Sequence, residues 1–148
     1  YCGGRALAQR MQEELAGIPD AAVVRFAEGG KLENVDLLAL EKAVRAGDAY
    51  AVRLWDEMCL RNAWAFGNII NIFNPEKLIL GTLAWAAGDL FMEPVRRYLP
   101  RFAWKENLDL CRIVPSELRR EIGAYAGIAG ALNALYEAGR YELPAGAR

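Results

Sequence analysis

The chain has 148 residues, 54% of them hydrophobic and 25% charged, and 18 basic against 19 acidic side chains leave a net charge of −1. This is a globular composition, long enough for one domain that buries ~70% of its unfolded surface, and its balanced charge gives nucleic-acid binding by these residues no electrostatic support. Histidine is absent, which excludes a Ser-His-Asp or Cys-His catalytic set and any His-ligated metal site within the chain.

In chain order, apolar residues at 7, 8, 11 and 15 predict a first helix over Arg5 to Leu15, stopped by Gly17 and Pro19. Ala21 to Phe26 fits either a helix or a short extended piece, and Glu28-Gly29-Gly30 breaks it. Asn34 or Asp36 caps a second helix that ends at Gly47. Asp48 caps the longest periodic stretch, to about Phe73, with 51, 55, 58/59, 62, 66, 69/70 and 73 on its apolar face. At 1.5 Å per residue such a helix spans ~38 Å. Asn74-Pro75 ends it, because the residue before proline is pushed out of the helical region.

Lys77-Leu78-Ile79-Leu80 comes next, a short apolar run bounded by turn residues, which predicts a strand buried on both faces as in parallel sheets. After the small-residue stretch LAWAAG, Asp89 or Glu93 caps a helix to about Leu99, with Pro94 favouring a start near Glu93 or a first-turn proline. Leu110 to Val114 is a second apolar strand turned by Pro115-Ser116, and Glu121 to Ala138 a last helix closed by Gly139. The segment 141–148 is a tail. This alternation of helix and strand implies right-handed crossovers, two parallel strands and helices on their faces, an α/β arrangement. Two parallel strands leave faces and edges to be covered, so further strands are expected upstream.

Apolar runs such as 84–87 and 128–132 are too short for a bilayer, which takes about 20 residues, and no basic, apolar, small-residue leader is present. Cys2, Cys59 and Cys111 are odd in number and widely spaced, giving neither a disulfide framework nor a complete zinc motif. A cytoplasmic protein is expected.

Gly81 stands where ligands sit in open α/β sheets, outside the carboxyl end of a strand, and a glycine there lets backbone approach a phosphate or ribose; Thr82 adds a hydroxyl. The alternative is that Gly81 only turns the chain. Gly123 and Gly127, among Ala124, Ala126, Ala129, Gly130 and Ala131, give the last helix a small-residue side. Interior glycine costs about 1 kcal/mol against alanine, so close packing on another backbone, or alternatively on a ligand, is expected to offset it. Trp55, Trp64, Trp85 and Trp104 are of a type that stacks on a base or sugar, and those at helical spacing are expected in the core.

The stretch NPEKLILGTLAWAAGDLFMEPVRR, preceded by a long helix that begins at AGD and followed by IVPSELRREIGAYAGIAGA, resembles the C-terminal lobe of the ROK family of repressors, uncharacterised reading frames and sugar kinases. The resemblance runs over residues 5–140. It implies the C-terminal part of an actin-like, ribonuclease H-like ATPase lobe, helix-rich with a short parallel sheet. It also implies ATP with Mg2+ held mainly by this lobe, a sugar held between two lobes, and a homo-oligomer. The activity implied is that of an ATP-dependent, glucokinase-like hexose kinase, or alternatively a sugar-sensing repressor body without catalysis. Gly81 and Thr82 are carried over as nucleotide-side residues. Many members have Gly-Gly-Gly where this chain has Gly81-Thr82-Leu83.

Family members carry a zinc segment of the form Cys-x-Cys-Gly-x-x-Gly-Cys-x-Glu before a helix, and Cys2-Gly3-Gly4 resembles its second cysteine and the residues after it. Residues 1–4 are thus expected to be a remnant of that segment. One thiolate cannot hold tetrahedral zinc, so Cys2 is at most one ligand of a structural Zn2+, and otherwise an unpaired cysteine. The family's catalytic aspartate, its Asp-x-Gly-Gly-Thr phosphate loop and its sugar-binding Glu-x-Gly-His are not found among these 148 residues. No catalytic residue is assigned.

Overall fold

The structure, a computed structural model, describes residues 3–139, with Arg120 as backbone alone; Cys2 and the tail 141–148 lie outside the described residues. In chain order the helices are α1 (Gly4–Glu14), α2 (Ala22–Phe26), α3 (Leu37–Arg45) and α4 (Ala49–Phe73). Strand β1 (Lys77–Leu80) leads to α5 (Thr82–Ala86), α6 (Asp89–Tyr98) and α7 (Lys105–Leu110). Strand β2 (Arg112–Pro115) and α8 (Ile122–Glu137) complete the order, with 3-10 turns at 28–30, 32–34, 99–101 and 119–121. Among the described residues no helix is long and apolar enough to cross a membrane.

Two of the helix starts are fixed by aspartates that satisfy an orphan amide of the first turn. Asp36 accepts the Ala39 amide and Asp48 the Ala51 amide, each at 2.8 Å. α4 stops as Asn74 takes the left-handed conformation (φ 43°) ahead of Pro75, a position that asparagine tolerates. Along its length α4 buries Ala51, Leu54, Trp55, Met58, Cys59, Ala63, Gly67 and Ile70 against α3 and α6. Met11 from α1, Val23 from α2, Leu40 and Ala43 from α3, and Val95 and Leu99 complete the fully buried core. Each large side chain so buried stabilises the fold by about 1.5–3 kcal/mol.

The buried face of α4 follows its apolar pattern at 51, 55, 58, 59 and 70 and departs from it at 62, 66 and 73. Asn62 and Phe66 are only half-buried and Phe73 is 72% exposed, while Ala63 and Gly67 are buried. The reason is Gly67. A Cβ there would lie 2.7 Å from Phe102 Cβ and 2.9 Å from its carbonyl carbon, so the missing side chain lets the 99–103 segment lie against the helix. Asn71, one turn on, secures that segment: its amide donates to the Phe102 carbonyl at 2.9 Å and its oxygen accepts the Trp104 amide at 2.9 Å.

α6 starts at Asp89 after Gly88, whose φ of +56° with ψ −131° suits glycine. Pro94 therefore lies inside the helix rather than in its first turn. It has no N–H for the Leu90 carbonyl four residues back. The buried indole of Trp55 supplies the missing donor, Nε1 to the Leu90 oxygen at 2.9 Å, so the proline of one helix and the tryptophan of another are a matched pair.

β1 and β2 are parallel, as the alternation predicts, with Lys77 opposite Arg112 and Leu80 opposite Pro115. The Arg112 and Ser116 amides extend the ladder to the Glu76 and Leu80 carbonyls at 2.9 and 2.7 Å. Other expectations need correction. β1 is not buried on both faces, since Leu80 is buried but Ile79, pointing the opposite way, is 60% exposed. The second strand begins at Arg112, not Leu110, because 105–110 is helical and ends at an exposed Leu110. Most of LAWAAG is the helix α5, while the stretch from Ala21 to Phe26 takes the helical one of its two readings, over Ala22–Phe26. α8 has no buried residue, and a Cβ at Gly123, Gly127 or Gly130 would meet nothing within 4 Å, so no close packing within the described residues accounts for these glycines. Trp64 and Trp104 are exposed rather than core.

Gly67→Ala should move backbone rather than a flexible tip and cost about 1–3 kcal/mol, lowering the melting temperature by roughly 2–10 °C. A variant that melts within a degree of the parent would show that the close approach at Phe102 carries no constraint.

Candidate functional site

β1 delivers Gly81 to the surface just past the buried Leu80, and Gly81 caps α5, with its carbonyl accepting the Ala84 amide at 2.9 Å. Its φ of −77° and ψ of −151° are extended backbone open to any residue. A Cβ there would meet only Ile122 Cδ1, at 3.7 Å, an ordinary contact. Neither the turn nor the packing of the described residues calls for glycine at 81.

Thr82 is exposed. With Leu83 and Ala86 it forms one wall of a groove of about 430 Å3 whose other wall is Asp36, Leu37, Leu38 and Glu41 from the start of α3, with Gly4 at the head of α1. That volume lies in the range of small-molecule sites. The walls are largely apolar, because Ala39, Leu40 and Ala43 take the core side of α3 and leave Leu38 55% exposed. Glu41 stands one turn after Leu37, held by Arg45 Nε and Nη2, both on Oε1, at 3.0 and 2.8 Å.

The end of β2 lies alongside. Ser116, buried, ties its amide to Leu80, and its hydroxyl accepts the Leu118 amide at 3.3 Å. The turn it makes leads to a second hollow of about 360 Å3 lined by Trp85, Glu117, Leu118, Arg119 and Glu121. Gly81 and Thr82 are thus adjacent at the carboxyl end of a parallel strand, where the sequence places them. Gly4, Leu37, Leu38 and Glu41 are not marked by any motif; the one available signal is the Leu37-Leu38 doublet directly after a capping aspartate, where a helix facing only a core would carry one apolar residue.

Among the described residues no three of the side chains Cys, Asp and Glu gather as a metal site. Cys59 is buried within α4, and Cys111 is buried at the end of α7 rather than in a strand, where burial pushes its thiol above the ordinary value. These residues do not fit a zinc ion, and Cys2 lies outside those described.

A charged constellation on the N-terminal half of α4 joins that helix to α1. Arg10 bridges Glu14 at 2.6 Å and Glu57 at 3.0 Å, Arg61 holds Glu57 at 2.7 Å, and Tyr50 donates to Glu14 at 2.9 Å. The Arg10 hydrogen bond holds Glu14 below the ordinary carboxylate value of 4.5, and Arg61, then Arg10, does the same for Glu57. Burial, then Glu14, pushes the Tyr50 phenol upward.

A model of the ROK family matches residues 1–136. The chain belongs to the ROK family. This ROK chain is 26% identical over 132 residues to a glucokinase of Streptomyces coelicolor, covering 88% of itself and 41% of that protein. It superposes with a TM-score of 0.68 and 21% identity on a ROK family glucokinase from Streptomyces griseus solved with glucose and AMPPNP, over 91% of this chain and 43% of that one. A ROK family transcriptional regulator, a homologue of the E. coli MLC protein, matches at a TM-score of 0.54 and 18% identity over 73% of this chain and 27% of that one. The ROK chain thus spans less than half the length of these relatives, and its fold is that of the C-terminal part of an actin-like ATPase lobe.

The Arg10 constellation sets a pH dependence of stability in this ROK chain. Carboxylates with lowered folded-state values contribute fully above their ordinary value and lose that contribution as pH falls through 4.5 and below. The groups are partly exposed, so the effect is small, about 0.2–1 kcal/mol per pair. Arg10→Ala should melt roughly 1–4 °C below the parent at pH 7, with the gap narrowing by pH 3. A gap independent of pH would assign Arg10 to packing alone.

Proposed function

We propose that this chain is the nucleotide-holding part of an ATP-dependent sugar kinase of glucokinase type, in which the γ-phosphoryl group passes to a hexose hydroxyl. The observation that carries the reading is Gly81: it ends a parallel strand, neither its backbone nor its neighbours require glycine, and the next residues line an apolar groove. A glycine kept free of a side chain at such a strand end is suited to close approach by a phosphate or ribose. The groove then takes the base between Leu38 and Leu83, and the Thr82 hydroxyl is available to a sugar or phosphate oxygen. The glucokinases of similar sequence support a sugar as the acceptor.

Phosphoryl transfer needs little covalent chemistry from a protein and much positioning. On this reading the chain's residues bind and orient the nucleotide, and the general base is supplied from outside these 148 residues. Mg2+ bound with the phosphates would neutralise the charge that develops on them. A sugar-sensing repressor body is the second reading, favoured by the likeness to the transcriptional regulator; it has no need of a nucleotide.

Gly81→Val in the full-length protein separates these readings. A side chain projecting toward the nucleotide should raise the Kd for ATP at least about tenfold and leave sugar affinity within about twofold, while Gly81→Ala, whose Cβ is accommodated, should leave the melting temperature nearly unchanged. Equal losses for both ligands with a lowered melting temperature would make Gly81 a turn residue only. A parent protein that binds sugar and no ATP would favour the repressor body.

A further inference from the structure

Resting on the nucleotide reading above, we propose that Glu41 makes the groove selective for a base that presents an exocyclic amine, adenine, over one that presents a carbonyl at the same place. Glu41 follows Leu37 and Leu38 by four and three residues on α3, the spacing that sets side chains on one face, so the carboxylate borders the apolar surface that receives the flat of the base. Thr82 stands on the opposite wall at the end of β1, where the strand-end rule puts ribose and phosphates. The carboxylate is well placed for recognition. Its side chain is only 16% exposed, and both bonds from Arg45 fall on Oε1, which fixes its orientation and leaves Oε2 to accept.

An ionised carboxylate only accepts hydrogen bonds. It therefore takes an amine N–H and meets the carbonyl oxygen of hypoxanthine or guanine as a second acceptor, lone pair against lone pair. The groove's ionisable residues, Asp36 and Glu41, are both acidic, so the triphosphate points out of the groove toward Gly81 and the base points in. Asp36 is exposed at the N-cap and its charge faces water, whereas the Glu41 side chain is 16% exposed, which leaves Glu41 as the reader.

The experiment is isothermal titration of the full-length protein with ATP, ITP and 2′-deoxy-ATP, comparing the parent with Glu41→Gln. ITP differs from ATP by an amine replaced with a carbonyl. The parent should bind ATP about tenfold or more tighter than ITP, and Glu41→Gln, whose amide both donates and accepts, should bring that ratio to about two or less while the melting temperature stays within about 2 °C. A ratio near one in the parent, with both nucleotides bound, overturns the inference and leaves the nucleotide reading standing. A tenfold ratio that survives Glu41→Gln also overturns it, as does a variant whose only change is lost discrimination between ATP and 2′-deoxy-ATP, which would put the carboxylate on ribose. Binding of neither purine nucleotide to the parent overturns both readings.

Discussion

Asn71 donates to the carbonyl of Phe102 and accepts from the amide of Trp104, one turn along α4 from a glycine whose absent side chain lets that same segment rest against the helix. The two residues act together: Gly67 removes the steric barrier, and Asn71 converts the close approach into two backbone hydrogen bonds. Both are needed because the segment lacks regular structure at this point and its amides and carbonyls must find partners somewhere. The path of the chain beyond this point depends on that clamp. Trp104 caps α7, the Cys111 amide closes α7 by bonding back to Asn107 and Leu108, and the next residue enters β2.

From there the constraint reaches the candidate site. β2 holds β1 in parallel register, and the Ser116 amide clips the end of β1 at Leu80, immediately before Gly81. The other anchor comes from Trp55, which supplies the donor that Pro94 denies to Leu90 and so fixes α6, the helix after Thr82 and α5, against the same rod. The groove wall at 82–86 is thus held from both directions by α4, while the facing wall at 36–41 is set by the Asp36 cap and the packing of Leu40 and Ala43. A groove built in this way is pre-organised by packing some distance from any atom that a ligand in it would touch.

How much of this the sequence discloses varies with how local the cause is. The caps at Asp36 and Asp48, the stop at Asn74-Pro75 and the strand KLIL are each decided within a few residues, and each is found where the pattern puts it. The drift of the buried face of α4 is not local, because Gly67 faces inward only on account of Phe102, far along the chain. α7 is six residues with few apolar positions, held by Asn71 at its start and a Lys105–Asp109 pair on its surface, so periodicity alone does not mark it. The groove is drawn from residue 4, from 36–41 and from 82–86, segments that share no motif; Gly81 and Thr82 are legible because strand ends are, and Glu41 is not. Ile79 and, in α8, Tyr125, Ile128, Leu132, Leu135 and Tyr136 are apolar residues that the described part of the chain leaves exposed.

If the clamp on Phe102 and Trp104 sets the strand ends, native-state amide hydrogen exchange in Asn71→Ala is the most direct test. Protection should fall not only at Trp104 but also at Arg112 and Ser116, whose amides bond to Glu76 and Leu80, while the amide of Leu40 in α3 keeps its protection. Loss confined to Trp104 and its immediate neighbours, with Arg112 and Ser116 exchanging as in the parent, would contradict it.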